Sequence, residues 1–386
     1  MSPPRNHQTG DEAAPDPTRA APDPTRAVYE ARAGEWRELR RPGPSAEVRH
    51  LIGRLAGSAG AATVVDLGCG PGWYAAQLAN AAHNVIGIDN ARAMLELARV
   101  EAPHARFAQA DLHHLPFRTG SVGGAVASKS YVHLPRSSVP LALHDLHRCV
   151  ALDAPVYLHL FPGDHEHHQF PDDDFPGRRF SGWPVPLLQA VLLGAGFTID
   201  DLVHRAPPSG NGGVGGLHVQ LRRARTLADT VGPGMRLLVV GLNPSLYAAD
   251  AGVGFARPGN RFWPAALAAG LVTRPRDPRH ALAHHGLGMT DVVKRATARA
   301  DELTAAEYRA GVDRLDLLSH WLQPQALCFV GLAGWRAAVD RKAMAGAQSR
   351  TIGGRPVYVM PSTSGLNAHS SLASLTDHLR EAASVD

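Results

Sequence analysis

Two short apolar runs near the C-terminus, each closing in a tight polar loop, constrain the fold more than any other feature of this 386-residue chain. The first, Leu237 to Val240, runs into Gly241-Leu242-Asn243-Pro244-Ser245. The second, Val357 to Val359, runs into Met360-Pro361-Ser362-Thr363-Ser364-Gly365-Leu366-Asn367. Each reads as a buried strand that stops at a Gly- and Pro-containing turn. In an open α/β sheet, loops at the strand ends meet in the crevice where ligands bind. One loop offers an amide side chain and backbone donors; the other offers small hydroxyl residues and a protruding leucine. That set suits handling of a base drawn out of a nucleic-acid duplex.

The N-terminal half alternates strand and helix patterns, which implies a mostly parallel sheet. Val64-Val65-Asp66-Leu67-Gly68-Cys69-Gly70-Pro71-Gly72-Trp73 is a buried strand turning into a helix through three glycines that let the backbone approach a ligand. Val85-Ile86-Gly87-Ile88-Asp89 ends a second strand in a carboxylate, placed to bind a ribose diol. Phe107-Ala108-Gln109-Ala110-Asp111-Leu112 ends a third strand with another acid. A Gly-rich turn followed by a ribose acid is shared by several nucleotide-binding folds and does not choose between them.

Composition describes a soluble globular chain: 44% hydrophobic, 19% charged, with no 18-residue apolar run to span a membrane. Its three cysteines, Cys69, Cys149 and Cys328, are isolated, which favours a reducing cytoplasm over a disulfide scaffold or zinc site. Residues 1–225 carry equal numbers of acidic and basic side chains, so the net +4 sits in residues 226–386, a modest excess compatible with phosphate contact. The heptapeptide at residues 14–20 recurs at 21–27, and residues 1–27 read as a disordered tail with no apolar stretch to bury. Residues 28–223 form a first domain, 224–232 a linker, and 233–383 a second domain. His165, His167 and His168 precede Asp172, Asp173 and Asp174. They read as a solvated loop at the rim of the first domain's pocket, and no metal is expected.

With DxGCGxG at Asp66 to Gly72 and an acid after the third strand, residues 28–223 resemble the class I S-adenosylmethionine-dependent methyltransferases. The resemblance implies that Asp66, Gly68, Gly70 and Gly72 line the methionine end of the donor, Asp89 holds its ribose, and Asp111 and Leu112 flank its adenine. The acceptor stays open. Ser128-Lys129-Ser130-Tyr131-Val132-His133-Leu134 carries neither of the motifs of DNA base methyltransferases, and Tyr131 and His133 either line an acceptor pocket or pack beside the donor.

Residues 233–383 resemble the mismatch-specific uracil/thymine DNA glycosylases. Besides the two loops, the match runs through Phe255-Ala256-Arg257-Pro258-Gly259-Asn260-Arg261-Phe262-Trp263, Gly288-Met289-Thr290 with Val292-Val293-Lys294-Arg295, and Gln323-Pro324-Gln325-Ala326-Leu327. The fold class implied is α/β with two domains: a Rossmann-like methyltransferase sheet, then a glycosylase-like α/β/α sandwich. The resemblance implies Asn243 as the catalytic residue, orienting a water, with Pro244, Ser245 and Phe255 forming the base pocket. Leu366 is then the wedge that fills the vacated stack, Gly365 lets the loop approach, Asn367 faces the orphaned guanine, and Ser362 and Ser364 meet phosphates. Asn260 and Arg261 hold the loop or a phosphate. Ser245 replaces a common glycine, which narrows the pocket and disfavours thymine. Asp291 stands where relatives carry lysine or asparagine; water contact and helix capping are both open for it.

These readings predict a monofunctional glycosylase that leaves an abasic site in G:U or G:T pairs, without a cofactor, joined to a domain that binds S-adenosylmethionine. The partners expected are double-stranded DNA with a mismatched or damaged base and an unidentified methyl acceptor. The protein is expected to be a cytoplasmic, nucleoid-associated monomer. A small-molecule or RNA methyltransferase with a C-terminal docking module, or a donor-loaded sensor, are the alternatives.

Overall fold

The computed structural model describes residues 23–40, 46–56, 63–81, 84–206 and 215–385. Two sheets organise the chain. The first contains β1 (Thr63–Leu67), β2 (Asn84–Asp89), β3 (Arg106–Gln109), β4 (Gly124–Ser128), β5 (Pro155–Pro162), the short β6 (Gly182–Trp183), β7 (Phe197–Arg205) and β8 (Gly216–Arg223). Its order is β3-β2-β1-β4-β5-β8-β7, with β6 beside β5. The first five strands of that order run parallel, and β8 is antiparallel to both neighbours. The order reverses between β1 and β4, so a crevice opens at their carboxyl ends.

The second sheet has β9 (Leu237–Gly241), β10 (Leu287–Asp291), β11 (Ala326–Val330), β12 (Gly346–Ala347) and β13 (Val357–Met360), ordered β10-β9-β11-β13-β12. All pairs are parallel except the edge pair of β12 with β13. β9, β11 and β13 are buried at every position, as continuous apolar runs in a parallel sheet covered on both faces should be. Both apolar runs singled out in the sequence are therefore central strands, and their loops lie at the same carboxyl edge.

Helices around the first sheet are α1 (Pro24–Leu39), α2 (Ala46–Ala56), α3 (Trp73–Asn80), α4 (Arg92–Glu101), α5 (Val139–Cys149) and α6 (Val185–Gly194). Those around the second are α7 (Leu246–Ala251), α8 (Phe262–Ala268), α9 (Pro278–His285), α10 (Ala305–Leu322), α11 (Leu332–Ala338) and α12 (Leu372–Ala382). The expected tail is corrected at its end. Asp23 caps α1, accepting from the Thr25 N–H at 2.9 Å, Pro24 opens the helix, and Thr25 is buried. The second copy of the repeat is thus a helix start. Residues 1–22, the rest of that tail, lie outside the described residues.

The segment expected as a linker, residues 224–232, is packed rather than free. Thr226, Leu227, Asp229, Thr230 and Val231 are buried. Asp229 accepts from Lys294 Nζ at 2.7 Å, Thr290 Oγ1 at 2.6 Å and an Arg314 guanidinium N–H at 2.8 Å, while its own N–H donates to Gly194 O at 2.8 Å. Burial pushes the Asp229 carboxyl up, but Arg314 and Lys294 outweigh it and hold the group below the usual carboxylate range. Arg279 on α9 donates to Asp145 at 3.2 Å and to His113 O at 3.0 Å, and Trp183 meets Trp321 edge-on with centroids 5.7 Å apart. The two sheets therefore share one bonded interface. Among the described residues no helix is long and apolar enough to cross a membrane.

Candidate active sites

At the carboxyl edge of the second sheet, a cleft of about 210 Å³ is lined by Asn243, Pro244, Ser245, Phe255, Asp291 and Ser362, among others. Asn243 follows β9 directly. Its Nδ2 donates to Thr297 Oγ1 at 2.8 Å, Arg295 O at 3.0 Å and Pro244 O at 3.2 Å. Carbonyl oxygens only accept, so the amide orientation is fixed, and Oδ1, with no hydrogen-bond partner among the described residues, is left as an acceptor on a residue that lines the cleft. The N–H groups of Asn243 and Ser245 have no acceptor among the described residues. Ser245 Oγ caps α7, accepting from Ala248 N at 3.2 Å.

Phe255 stacks on Phe262 at 4.3 Å with an interplanar angle of 22°, and its φ of 56° is rare for a bulky residue. Such strain persists only where surroundings enforce it, and it clusters at functional sites. The stacked pair leaves one aromatic face for the cleft.

Asp291 ends β10 in register with Gly241, and a side chain at Gly241 would overlap its carboxylate. The carboxyl is buried and makes no hydrogen bond among the described residues; burial pushes it up to about 6, against the pull of Lys294, whose Nζ lies 4.0 Å away. It caps no helix. It is among the residues lining the cleft.

The loop after β13 presents Leu366, 89% exposed. Gly365 lies against Gly259, where a side chain would meet the Gly259 carbonyl. Arg261 holds the loop by donating to Ser364 O at 3.0 Å, Asn367 O at 2.6 Å and Ser370 O. Asn260 turns inward, its Oδ1 accepting from Phe262 N at 2.9 Å. Ser362 and Ser364 line the cleft, but Gly365, Leu366 and Asn367 stand outside it. Asn367 is corrected: its Nδ2 donates to Ser362 O at 2.8 Å and Ser370 Oγ at 3.1 Å, and its Oδ1 accepts from His369 N at 3.1 Å. The side chain braces the loop and is not free to face a guanine. His144 of α5 also reaches this cleft from the other domain, a contribution no local sequence signal announces.

At the crevice of the first sheet, a larger cavity of about 610 Å³ brings together Gly68, Gly70, Asp89, Asp111 and Leu112. Gly70 has φ 50°, and a side chain there would meet only the Trp36 ring at 3.9 Å, so the backbone is open to a ligand. Asp89 accepts from Gly70 N at 2.9 Å and Ala91 N at 2.8 Å, each oxygen keeping a second lone pair. Its carboxyl is raised by burial, opposed by those N–H donors. Asp111 is held down to about 2, chiefly by His113, whose Nδ1 lies 2.7 Å from Oδ1. Asp66 and Gly72 do not line the cavity. Asp66 is buried, with one oxygen unpartnered, and burial raises it to about 7; Gly72 caps α3 and packs on Ala98. Of the acceptor candidates, His133 lines the cavity and Tyr131 is buried outside it. Asp172 and Asp173 lie at the rim, and among the described residues no three His, Cys, Asp or Glu gather as a metal requires.

Residues 64–153 match the family model of the methyltransferase domain, and residues 228–383 match that of the uracil DNA glycosylase superfamily. The chain is a methyltransferase domain followed by a uracil DNA glycosylase superfamily domain. Solved structures similar to it include three methyltransferases. One is 1,6-didemethyltoxoflavin-N1-methyltransferase of Burkholderia thailandensis, 20% identical over 56% of this chain and 98% of that one, with a TM-score of 0.42. Another is magnesium protoporphyrin IX methyltransferase of Synechocystis PCC 6803, 18% identical over 54% and 100%, TM-score 0.42. The third is an S-adenosylmethionine-dependent methyltransferase of Methanosarcina mazei, 19% identical over 42% and 92%, TM-score 0.38.

Proposed function

We propose that the C-terminal domain is a monofunctional, mismatch-directed DNA glycosylase that hydrolyses the N-glycosidic bond of uracil opposite guanine. The observation that carries this is Asn243, a residue lining the cleft, whose amide is clamped through Nδ2 so that Oδ1 is left as a fixed acceptor. An amide cannot take a proton from water at neutral pH, but it holds the water in place. Departure of the base leaves positive charge on the sugar, so an oriented water suffices as nucleophile. The free N–H groups of Asn243 and Ser245 stabilise charge on the leaving base. Asp291, buried at the same edge, takes up the proton as the water adds. Phe255 supports the flipped base, and Leu366 fills the space it leaves. Extrusion costs a few kcal/mol and least at a weakened pair, which favours G:U and G:T over A:U. No lysine is among the described residues that line the cleft, so the product expected is an abasic site.

The N-terminal cavity fits S-adenosylmethionine in this reading: Gly68 and Gly70 give backbone access, Asp89 meets the ribose, and Asp111 with Leu112 borders the adenine. When bound, the donor supplies an electrophilic methyl group on a positively charged sulfur. Domain limits follow the two sheets, with residues 224–232 as part of their interface.

Single-turnover rates on G:U, G:T, A:U and single-stranded uracil test the base range. The order expected is G:U above G:T above A:U, with thymine held back by Ser245. Equal rates on all four would contradict mismatch direction. Calorimetric titration with S-adenosylhomocysteine tests the other domain: saturable binding that Asp89→Ala abolishes is expected, and no heat at saturation would overturn it.

A further inference from the structure

The donor contacts account for only one end of the larger cavity. Its other end is walled by Phe161, Phe170 and Phe180, with Tyr29 and His133 beside them. Phe180 lies 5.9 Å from Phe161 and 5.4 Å from Phe170, ring centroid to centroid. The polar tips of this wall are already satisfied. His133 Nδ1 lies 2.8 Å from Arg179 O, which must accept, so Nδ1 carries the proton and Nε2 accepts from the Tyr29 hydroxyl at 2.9 Å. What remains facing the space is π surface, which takes a flat apolar body and offers it few hydrogen bonds.

Two of the cations that line the cavity are paired. Arg178 is paired with Asp173 and Arg40 with Asp174. Lys129 follows β4 with φ 59°, its N–H held by His159 O at 3.0 Å, and its ammonium has no partner among the described residues. A left-handed lysine is an uncommon conformation, and here it places the ammonium in the cavity. Desolvation, then Arg40 and Arg178, lower its pKa although the residue remains exposed, and an anion alongside would relieve the repulsion from those two guanidinium groups. The carboxylates Asp89 and Asp111 lie at the donor end, and the rest of the lining sets Arg26, Arg40, Lys129 and Arg178 against Asp23, Asp172 and Asp173. His159 beside Lys129 is pushed down to about 3 by burial and by that ammonium, and His133 to about 4 by burial; neither is a base suited to neutral pH. A ligand here arrives already ionised. A volume of about 610 Å³ for both ends suits small molecules, whose sites run roughly 300–1,000 Å³.

We propose that the aromatic end of this cavity is the acceptor subsite and binds a small planar aromatic anion, its ring against Phe161, Phe170 and Phe180 and its charge on Lys129. The assignment as acceptor subsite rests on the reading of the opposite end as the donor site; the binding claim stands on its own geometry. It departs from nucleic-acid methylation in that the partner of Lys129 is a single carboxylate or ring oxyanion.

The test is a titration of the full-length protein with 4-hydroxybenzoate, its neutral analogue 4-hydroxybenzamide, and hexanoate. It is followed by the intrinsic fluorescence of Trp36 and Trp73 and by thermal shift, with and without S-adenosylhomocysteine. Saturable binding of the benzoate is expected, weaker by about tenfold or more for the amide, which loses the charge-assisted contact, and weaker also for hexanoate, which keeps the charge but lacks the ring. Lys129→Met should weaken benzoate by a similar factor while leaving S-adenosylhomocysteine affinity unchanged, and Lys129→Arg should restore part of it. Phe170→Ala should weaken the benzoate and the benzamide alike. Equal binding of benzoate and benzamide, an indifferent Lys129→Met, or hexanoate binding as well as benzoate would each overturn the proposal. A short single-stranded oligonucleotide that displaces the benzoate from wild type but not from Lys129→Met would also overturn it, in favour of a macromolecular acceptor. Failure of S-adenosylhomocysteine to bind while benzoate does would overturn the donor reading instead.

Discussion

Among single residues, two carboxyls of raised pKa have opposite consequences for function and stability. Asp291 lines the cleft and is pushed up to about 6, so it is ionised at neutral pH and protonated as pH falls. Excision should decline as pH drops through about 6, and Asp291→Asn should be slower at pH 8 and flatten that limb. A variant profile superimposable on wild type would remove Asp291 from the chemistry. Asp66 faces no cavity and is raised to about 7 by burial. Its folded pKa lies above its unfolded value of roughly 3.9, so the folded state holds the proton more tightly and stability is lost as pH rises through the folded pKa. Asp66→Asn should therefore raise the melting midpoint at pH 8 and change it little at pH 5; a pH-independent effect would contradict this origin. Asn243 was legible from its motif because strand, turn and amide are contiguous. The burial of Asp291 was not, because Gly241, which packs on its carboxylate, lies on a strand fifty residues earlier; the bracing of Asn367 by Ser362 and Ser370 was not either, because it depends on a loop conformation that no residue pattern announces.

Elements explain why the loop that carries Leu366 is both exposed and tied down. β13 delivers it to the carboxyl edge, Gly365 packs on Gly259, and Arg261, immediately before α8, ties down three of its carbonyls. Leu366 is 89% exposed, so Leu366→Ala should leave the unfolding free energy within about 0.5 kcal/mol of wild type, as for most surface changes. The same variant should slow excision from A:U more than from G:U, since the stronger pair needs the wedge more. Equal slowing on both, or none, would dismiss Leu366 as the wedge. The strands were readable because parallel, doubly covered strands are unbroken apolar runs. The start of α1 was hidden because its cap belongs to a repeat that looks like low-complexity sequence; the Asp23-Pro24 pair was the available signal.

For the whole molecule, Asp229 is the hinge pin of the two-domain arrangement. It sits in a segment whose composition resembles a linker, yet it gathers Lys294, Thr290 and Arg314 and bonds back to Gly194 at the end of α6. No periodicity marks such a residue, so the interface was invisible in sequence while both sheets were plain. Removing one partner of a buried pair costs about 3–5 kcal/mol. Arg314→Met should thus lower the melting midpoint and split a single calorimetric transition into two, the donor-domain transition alone still shifting with S-adenosylhomocysteine. One unsplit transition at the wild-type midpoint would show that the network does not couple the domains.

The central claim, that the clamped amide of Asn243 directs base excision, is tested most directly by one assay. An end-labelled duplex with a single G:U pair is treated with wild type or Asn243→Ala and then with hot alkali. Alkali-dependent cleavage at the uracil is predicted for wild type, reduced by roughly 10²-fold or more in the variant, on the scale of losing one transition-state-stabilising group. DNA affinity should be retained. Undiminished cleavage by Asn243→Ala, or none by wild type despite tight binding, would contradict the account.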